Sequence, residues 1–231
     1  MIDVNRHKYI MVQILKDIYA DIELSNYLGF KGGSALMFFY DLPRFSVDLD
    51  FNLLVTEKEN VVYGKIRKIL LRYGKIFDEA KKFHGPLIVL DYGTNERKLK
   101  VEISNRVVDD RYEIKNLLGI NVQVMIQEDM FAHKLCALLD RNMMANRDIF
   151  DCWVFMQKQT PVNKSIIETR MGIPLEGYLQ KCIERIESLN SKSLLQGIGE
   201  LLDEKMKKFV RPGLQVEIIR LLKFYKEYPI L

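Results

Sequence analysis

The sequence predicts an α+β fold, with a mixed β-sheet and flanking helices in the N-terminal half and a helical C-terminal part. Runs that alternate in polarity or are wholly apolar, as in strands, fall before residue 127. From residue 128 onward, apolar residues recur at helical spacing. The 231 residues are 48% hydrophobic and 29% charged, which is typical of a globular chain rather than a disordered one.

Composition also excludes several classes of protein. No apolar run approaches the roughly 20 residues that cross a bilayer, so no membrane partner is expected, and the N-terminus shows no signal-peptide pattern. Cys136, Cys152 and Cys182 lie far apart and the three histidines form no cluster, which indicates a reducing cytoplasm and no zinc site. The net charge of +4 permits an anionic partner such as RNA or a nucleotide.

The first elements follow from apolar spacing and from glycine. Residues 2–27 carry apolar side chains at helical spacing. A double glycine then interrupts the helical pattern ahead of a short helix over 35–40, which Ser34 can cap. Residues 47–51 alternate and 53–55 are wholly apolar, which predicts a strand that enters the core.

One helix and three strands complete the N-terminal half. Residues 57–73 predict an amphipathic helix, with Val61 among its inward positions. Residues 87–92 and 98–103 predict two strands around Gly-Thr-Asn-Glu, a hairpin signal, and 121–126 predict a further short strand.

The C-terminal half reads as helices alone. They are expected over 128–139, 147–157, 175–189, 193–202 and 213–228, with Pro212 opening the last. We therefore divide the chain into a core domain, 1–127, and a helical domain, 128–231, which is expected to complete the active-site cleft.

Two aspartates lie on one face of a single strand. Because residues two apart in a strand point to the same side, Asp48 and Asp50 face together. Glu102 would join them if its strand is a neighbour; the alternative is an exposed carboxylate beside Lys100. Converging carboxylates need a cation, and oxygen ligands suit Mg²⁺, with Mn²⁺ as an alternative. The sequence therefore predicts a metal site formed by Asp48, Asp50 and Glu102.

The run Gly32, Gly33 and Ser34 predicts a phosphate site. Glycines let backbone N–H groups approach a phosphate closely, and the start of the following helix adds donors and partial positive charge. The Ser34 hydroxyl can donate to a phosphate oxygen. A nucleoside triphosphate held there would place its α-phosphate over the metal site.

These features belong to a longer pattern that resembles a known family. Its first motif, Gly-Gly-(Ser/Thr) followed by Arg-(Phe/Thr)-Ser-x-Asp-x-Asp, is matched by Gly32, Gly33, Ser34, Arg44, Phe45, Ser46, Asp48 and Asp50. Its second, Lys-x-x-Ala-x-x-x-Arg followed by Arg-Asp-x-x-Asp, is matched by Lys134, Ala137, Arg141, Arg147, Asp148 and Asp151. Over residues 30–157 the chain resembles the AbiEii/AbiGii toxins of the DNA-polymerase-β-like nucleotidyltransferases.

The resemblance implies roles for the matched charged residues. Lys134 would neutralise the triphosphate, and Asp148 and Asp151 would orient Lys134 or contact the base or ribose. The alternative for these three is a solvated ion-pair cluster between two helices. Glu102 would complete the metal site and act as a base towards the acceptor hydroxyl.

Four more residues are candidates for nucleotide binding. Arg141 and Arg147 continue the cationic face on which Lys134 lies. Arg44 and Ser46 either bind nucleotide or are structural, with Arg44 pairing with an acidic neighbour and Ser46 capping a turn.

The resemblance also implies a function and partners. It indicates a nucleotidyltransferase that uses a nucleoside triphosphate, releases pyrophosphate and serves as the toxin of a toxin–antitoxin or abortive-infection pair in phage defence. A separate antitoxin protein and a tRNA acceptor are the expected partners, in the cytoplasm. Transfer to a small molecule or a protein hydroxyl is an alternative. A non-catalytic nucleotide- or RNA-binding module is another, although the intact ligand positions argue against it.

Overall fold

The computed structural model describes residues 3–93, 97–106, 108–140, 144–190 and 193–231. The chain divides into two compact units. The first comprises Met1–Asp41 and Phe45–Met125, and the second comprises Leu42–Arg44 and Ile126–Leu231. The segment Leu42–Arg44 therefore belongs to the second unit, although the chain on either side of it belongs to the first.

The first unit is a mixed sheet with helices. Its helices are α1 (Val4–Ala20), α2 (Ile22–Tyr27), α3 (Gly32–Phe39) and α4 (Glu59–Leu70). Its strands are β1 (Leu28–Lys31), β2 (Asp48–Leu53), β3 (Lys75–Lys82), β4 (Gly85–Asp91), β5 (Leu99–Ser104), β6 (Tyr112–Leu117) and β7 (Ile120–Met125).

The strands of the described residues form one sheet in the order β3-β4-β5-β2-β1-β7-β6. The pairs β2–β5 and β1–β7 are parallel, and the other neighbours are antiparallel. The parallel register of β2 with β5 places Asp48 opposite Lys100 and Asp50 opposite Glu102. The sheet therefore brings the predicted carboxylates onto adjacent strands, in its middle.

The core of this unit lies on the opposite side of the central strands. Leu49 and Phe51 of β2 alternate with the two aspartates and are fully buried. The rings of Phe30 and Phe51 pack with their centroids 5.2 Å apart. Burying a phenylalanine completely stabilises a fold by about 1.5–3 kcal/mol. The same alternation that exposes the aspartates therefore anchors β2.

The α+β prediction is confirmed, and several of its details are corrected. The first predicted helix is divided, because Asp21 accepts hydrogen bonds from the backbone N–H groups of Glu23 and Leu24 and so starts α2. Ser34 is not a helix cap, because α3 already begins at Gly32. Val61 was placed inward but is 42% exposed on α4.

Three strands were not predicted from the sequence. Strand β1 is short and lies between two helices, and β3 and β6 are the edge strands of the sheet. The residues of β3 and β6 are mostly exposed and polar. An edge strand that is solvated on both faces has no apolar alternation to reveal it. The predicted hairpin residues 94–96 lie outside the described residues.

The second unit is helical. It contains α5 (Gln127–Asp140), α6 (Asn146–Gln157), α7 (Lys164–Met171), α8 (Leu175–Glu187) and α9 (Glu204–Glu227). Its core includes Phe131, which stacks on Phe155 with centroids 5.0 Å apart and meets Tyr225 edge-on at 5.9 Å. The buried Tyr178 donates a hydrogen bond of 2.7 Å to the carbonyl of Leu135, which joins α8 to α5.

Two predictions for this unit were wrong. Pro212 lies inside α9 and does not open it; the helix begins earlier, where Asp203 accepts a hydrogen bond of 2.7 Å from the N–H of Met206. Residues 193–202 were predicted as a helix, but the described part contains turns and a short 3₁₀ segment, Gly199–Leu201. Helix α7 was missed. Among the described residues, no helix combines the length and the apolar character that crossing a membrane requires.

Candidate active site

Strand β2 carries the two aspartates on one face, as its period of two predicts. Asp48 and Asp50 are both half-buried, while Leu49 between them is fully buried. Burial raises the pKa of Asp50; the charge of Asp48 adds to the rise, and Lys100 and Lys31 oppose it. A carboxylate whose charged form is disfavoured in this way is a favourable place for a cation.

One lysine lies against two of the carboxylates. The Nζ atom of Lys100 is 3.2 Å from Oε2 of Glu102 and 3.7 Å from Oδ2 of Asp48. Burial lowers the pKa of Lys100, but Asp48, Asp50 and Glu102 outweigh that effect and raise it overall. Burial likewise raises the pKa of Glu102, and Lys100 lowers it overall. Lys100 therefore offsets part of the repulsion between the carboxylates.

Asp48 and Asp50 have the chemistry of a divalent-ion site. Both are oxygen donors of the kind that Mg²⁺ and Mn²⁺ prefer, and one or two carboxylates are the usual protein share of a Mg²⁺ shell. Among the described residues, no group of three or more His, Cys, Asp or Glu side chains is placed to hold a metal ion. Glu102 contacts Lys100 instead. The donor set thus fits a divalent ion held mainly by the two aspartates.

The double glycine packs directly against Asp50. Gly32 has φ of +80°, a backbone conformation that side chains disfavour, and a Cβ atom there would lie 2.6 Å from Oδ2 of Asp50. The N-cap residue Lys31 makes no side-chain capping hydrogen bond to α3. The backbone N–H groups of the first helical turn are the donors with which a helix N-terminus binds an anion.

Ser34 connects the glycine turn to the carboxylate strand. Its side chain is fully buried, and its hydroxyl donates a hydrogen bond to the backbone carbonyl of Asp48. Sequence reasoning placed this hydroxyl on a phosphate. The structure shows it holding the first residue of β2 against the start of α3.

The second predicted motif forms a buried charge cluster within the second unit. Arg44 donates from Nε and Nη2 to the two carboxylate oxygens of Asp151, at 2.6 and 2.7 Å. Lys134 lies 2.8 Å from Oδ1 of Asp148 and 2.8 Å from Oδ2 of Asp151. The cluster therefore links the segment Leu42–Arg44 to helices α5 and α6.

Charge pairing sets the direction of the pKa shifts in this cluster. Burial raises the pKa of Asp151, but Arg44 and Lys134 lower it overall. Burial lowers the pKa of Lys134, but Asp151 and Asp148 raise it overall. The side chain of Lys134 is 15% exposed, whereas those of Asp148 and Asp151 are at most 1% exposed. Lys134 is therefore a charged lysine held by two aspartates that barely reach solvent.

The remaining candidates are placed less distinctively. Ser46 is buried, and Arg147 is half-buried at the start of α6. Arg141 lies outside the described residues. Sequence reasoning placed Arg44 and Asp151 in different motifs and did not pair them, since nothing in their spacing indicates a bidentate pair. It also overlooked Lys100 as a partner of Asp48, because that contact depends on the register of β2 with β5.

The comparison with protein families decides the identity. The model described as nucleotidyl transferase AbiEii toxin, type IV toxin–antitoxin system, matches residues 13–218. The chain belongs to the AbiEii family. It is accordingly a nucleotidyltransferase of a toxin family, and membership implies a nucleoside triphosphate substrate, usually a divalent metal, and an antitoxin partner. A comparison with curated proteins gives no match.

Solved structures show that this AbiEii protein shares its fold with nucleotidyltransferases. A proposed nucleotidyltransferase from H. pylori has a TM-score of 0.63 at 20% identity, covering 97% of this chain and 95% of the other. JHP933 from Helicobacter pylori has a TM-score of 0.61 at 20% identity, with coverage of 97% and 92%. The nucleotidyltransferase toxin MenT4 from Mycobacterium tuberculosis has a TM-score of 0.62 at 15% identity, with coverage of 96% and 83%.

Proposed function

We propose that the protein is a Mg²⁺-dependent toxin that transfers a nucleoside monophosphate from a nucleoside triphosphate to tRNA. The observation that carries this proposal is the Asp48–Asp50 pair beside the uncapped Gly32–Gly33 turn, joined to it through Ser34. A carboxylate pair next to a phosphate-binding turn is the combination that phosphoryl transfer requires.

The reaction is a displacement at the α-phosphorus. The acceptor hydroxyl oxygen forms a bond to that phosphorus and its proton passes to solvent water, while the bond to the bridging oxygen breaks and pyrophosphate leaves with the electron pair. A divalent ion, when bound, polarises the phosphate and lowers the pKa of the attacking hydroxyl. Asp48 and Asp50 would hold this ion, and the N–H groups at Gly32 and Gly33 would bind phosphate oxygens.

Other residues of the site keep these groups in place. Ser34 fixes the start of β2 against α3 and thereby positions Asp48. Glu102 has a lowered pKa beside Lys100, which makes it a weak proton acceptor near neutral pH. We therefore assign Glu102 to holding Lys100 rather than to general-base catalysis.

Lys134 is assigned to the triphosphate on its place in the second family motif. Asp148 and Asp151 hold its ammonium group, and both are buried, so they position Lys134 rather than contact the substrate. Arg44 extends the same network through Asp151. We assign Arg44 a structural role and keep Ser46 and Arg147 as candidates for nucleotide binding.

A tRNA acceptor, an antitoxin and a cytoplasmic location complete the proposal. The formal net charge of +4 suits a polyanionic acceptor, and the AbiEii toxins that the chain resembles add nucleotides to tRNA. The three cysteines are free and buried, which suits a reducing compartment. Abortive infection in phage defence is the expected biological role.

One experiment tests both the reaction and the acceptor. The protein is incubated with each α-labelled nucleoside triphosphate, Mg²⁺ and total tRNA, and the labelled product is mapped. We expect label at tRNA ends, its loss with EDTA, and its loss in Asp50→Asn. The matched control is Asp78→Asn, an exposed carboxylate on the edge strand β3 of the same sheet, which should label normally. Label on a small molecule or on protein would redirect the acceptor, and no label with any triphosphate would overturn the proposal.

A further inference from the structure

Lys100 is a partly buried lysine on a strand in the middle of the sheet. It lies on β5 directly opposite Asp48 on β2, and its side chain is only 32% exposed. Its ammonium contacts Glu102 at 3.2 Å and Asp48 at 3.7 Å. A lysine in this position bridges carboxylates from two adjacent strands.

The lysine just before β5 behaves differently. Lys98 lies two residues earlier, and its Nζ atom sits 3.4 Å from the centroid of the Phe77 ring. Among the ion pairs of the described residues, those to Asp48 and Glu102 are made by Lys100. The two lysines therefore have the same charge but different partners.

We propose that Lys100 is a built-in cation of the reaction centre, which takes the place of a second divalent ion between Asp48 and Glu102, so that the site binds one divalent ion. This inference rests on the proposed divalent-ion site of Asp48 and Asp50. Many enzymes that transfer phosphoryl groups use two metal ions about 4 Å apart. Here an ammonium group with a single positive charge takes the position of one of the two metal ions.

The charges of the site agree with a single ion. Asp48, Asp50 and Glu102 carry three negative charges and Lys100 one positive charge, which leaves a deficit that one divalent ion balances. Lys31 lies opposite Asp50 on β1 and can only reduce that deficit further. A second divalent ion would have to bind within a few ångströms of the Lys100 ammonium, against like-charge repulsion.

The geometry also explains how Lys100 blocks the position of a second divalent ion. An ammonium has three donors and contacts carboxylate oxygens at about 3 Å, whereas Mg²⁺ needs its oxygens at about 2.0–2.1 Å in an octahedron. The nearest oxygens of Glu102 and Asp48 lie 3.2 and 3.7 Å from the Lys100 ammonium, which is ion-pair contact and too far for Mg²⁺ ligation. Removing the ammonium while keeping the volume of the side chain should allow a metal ion to bind between Asp48 and Glu102.

The test counts bound metal with Mn²⁺ alone, without nucleotide. Free Mn²⁺ is measured by electron paramagnetic resonance across a titration of the full chain. We expect one bound ion per chain in the wild type, two in Lys100→Met, and one in the control Lys98→Met. Lys100→Arg keeps the charge and should keep one ion. Two ions in the wild type, or one ion in Lys100→Met, would overturn the role of Lys100.

Thermal unfolding of the same variants gives a second readout. In EDTA, Lys100→Met should melt at a lower temperature than Lys98→Met, because Asp48 and Glu102 lose their counter-charge. Saturating Mn²⁺ should raise the melting temperature of Lys100→Met more than that of Lys98→Met. If Lys100→Met does not fold, Lys100→Gln replaces it in both measurements. Equal metal-induced shifts in the two variants would contradict the inference. If no variant binds Mn²⁺ at all, the aspartate metal site itself is wrong, and the proposed function fails with it.

Discussion

The hydroxyl of Ser34 donates its hydrogen bond to the backbone carbonyl of Asp48. This contact joins the first turn of α3 to the first residue of β2, although fourteen residues separate them in the chain. The turn that would bind phosphate and the strand that carries the carboxylates are thereby fixed to one another.

Replacing Ser34 by alanine should therefore affect positioning more than nucleotide affinity. The variant leaves a buried acceptor without its donor, which costs about 1–3 kcal/mol of stability. We expect a lower melting temperature and a fall in kcat that exceeds the change in KM for the triphosphate. Ser25→Ala is the matched control, because the Ser25 hydroxyl makes a similar bond to the carbonyl of Ile22 at an exposed site. A rise in KM alone, at unchanged kcat, would instead favour a direct contact between Ser34 and phosphate.

Gly32→Ala should damage the site by two routes. The new Cβ would lie 2.6 Å from Oδ2 of Asp50, and φ of +80° is strained for alanine. A left-handed conformation costs a non-glycine residue about 1–2 kcal/mol. We expect lower stability together with loss of transfer, measured by thermal unfolding and labelled-nucleotide incorporation.

The control for Gly32 is Gly177, an exposed glycine inside α8. A Cβ there meets nothing within 4 Å. Gly177→Ala should stabilise the protein by about 0.5–1 kcal/mol, since alanine favours a helix interior. Normal nucleotide transfer by Gly32→Ala would show that the close approach of Gly32 to Asp50 does not matter for the site.

Asp151→Asn should be strongly destabilising. It removes the partner of the bidentate Arg44 pair and one partner of Lys134, in a place where the Asp151 side chain is fully buried. Breaking a buried pair from one side typically costs about 3–5 kcal/mol. Chemical denaturation provides the measurement. Glu217→Gln, which breaks the exposed pair with Arg220, should cost at most about 1 kcal/mol. Equal effects in the two variants would refute the structural role of the cluster.

The pH dependence of stability should separate the two groups of carboxylates. The pKa of Asp151 is lowered in the folded protein, so its contribution is present above the unfolded pKa of about 4 and is lost as pH falls through the folded value. The pKa of Asp50 is raised, so its contribution is present at low pH and is lost as pH rises through the folded value.

Asp50→Asn should therefore stabilise the metal-free protein near pH 7, and that gain should shrink towards pH 4. Asp151→Asn should destabilise it near pH 7, with a loss that shrinks on acidification. Urea denaturation across this range, in EDTA, measures both. Parallel pH profiles for the two variants would contradict the opposite pKa shifts.

The sequence predicted the centre of the site better than its surroundings. Asp48 and Asp50 could be placed on one face because strand periodicity is local, and the fully buried Leu49 confirms the face. The salt bridge of Lys100 with Asp48 could not be foreseen, because it depends on the parallel register of two strands distant in the chain. The pairing of Arg44 with Asp151 spans 107 residues and likewise depends on tertiary packing.

Local reasoning also failed where tertiary packing overrides propensity. Pro212 is tolerated inside α9, where the buried Val210 and Leu214 on either side anchor the helix in its unit. Strand β3 is an edge strand with exposed polar residues, and it depends on pairing with β4 for its place in the sheet. Neither outcome is visible within a short window of sequence.

The parallel pairing of β2 with β5 has a consequence for the synthesis of the protein. A ribosome that has just completed β4 has made both aspartates, but the strand that carries Lys100 and Glu102 does not yet exist. Lys134 and the aspartates that hold it emerge later still. An incomplete chain therefore lacks parts of the proposed reaction centre, and we expect premature termination to yield harmless fragments. The cell that makes this toxin would need to restrain only finished molecules.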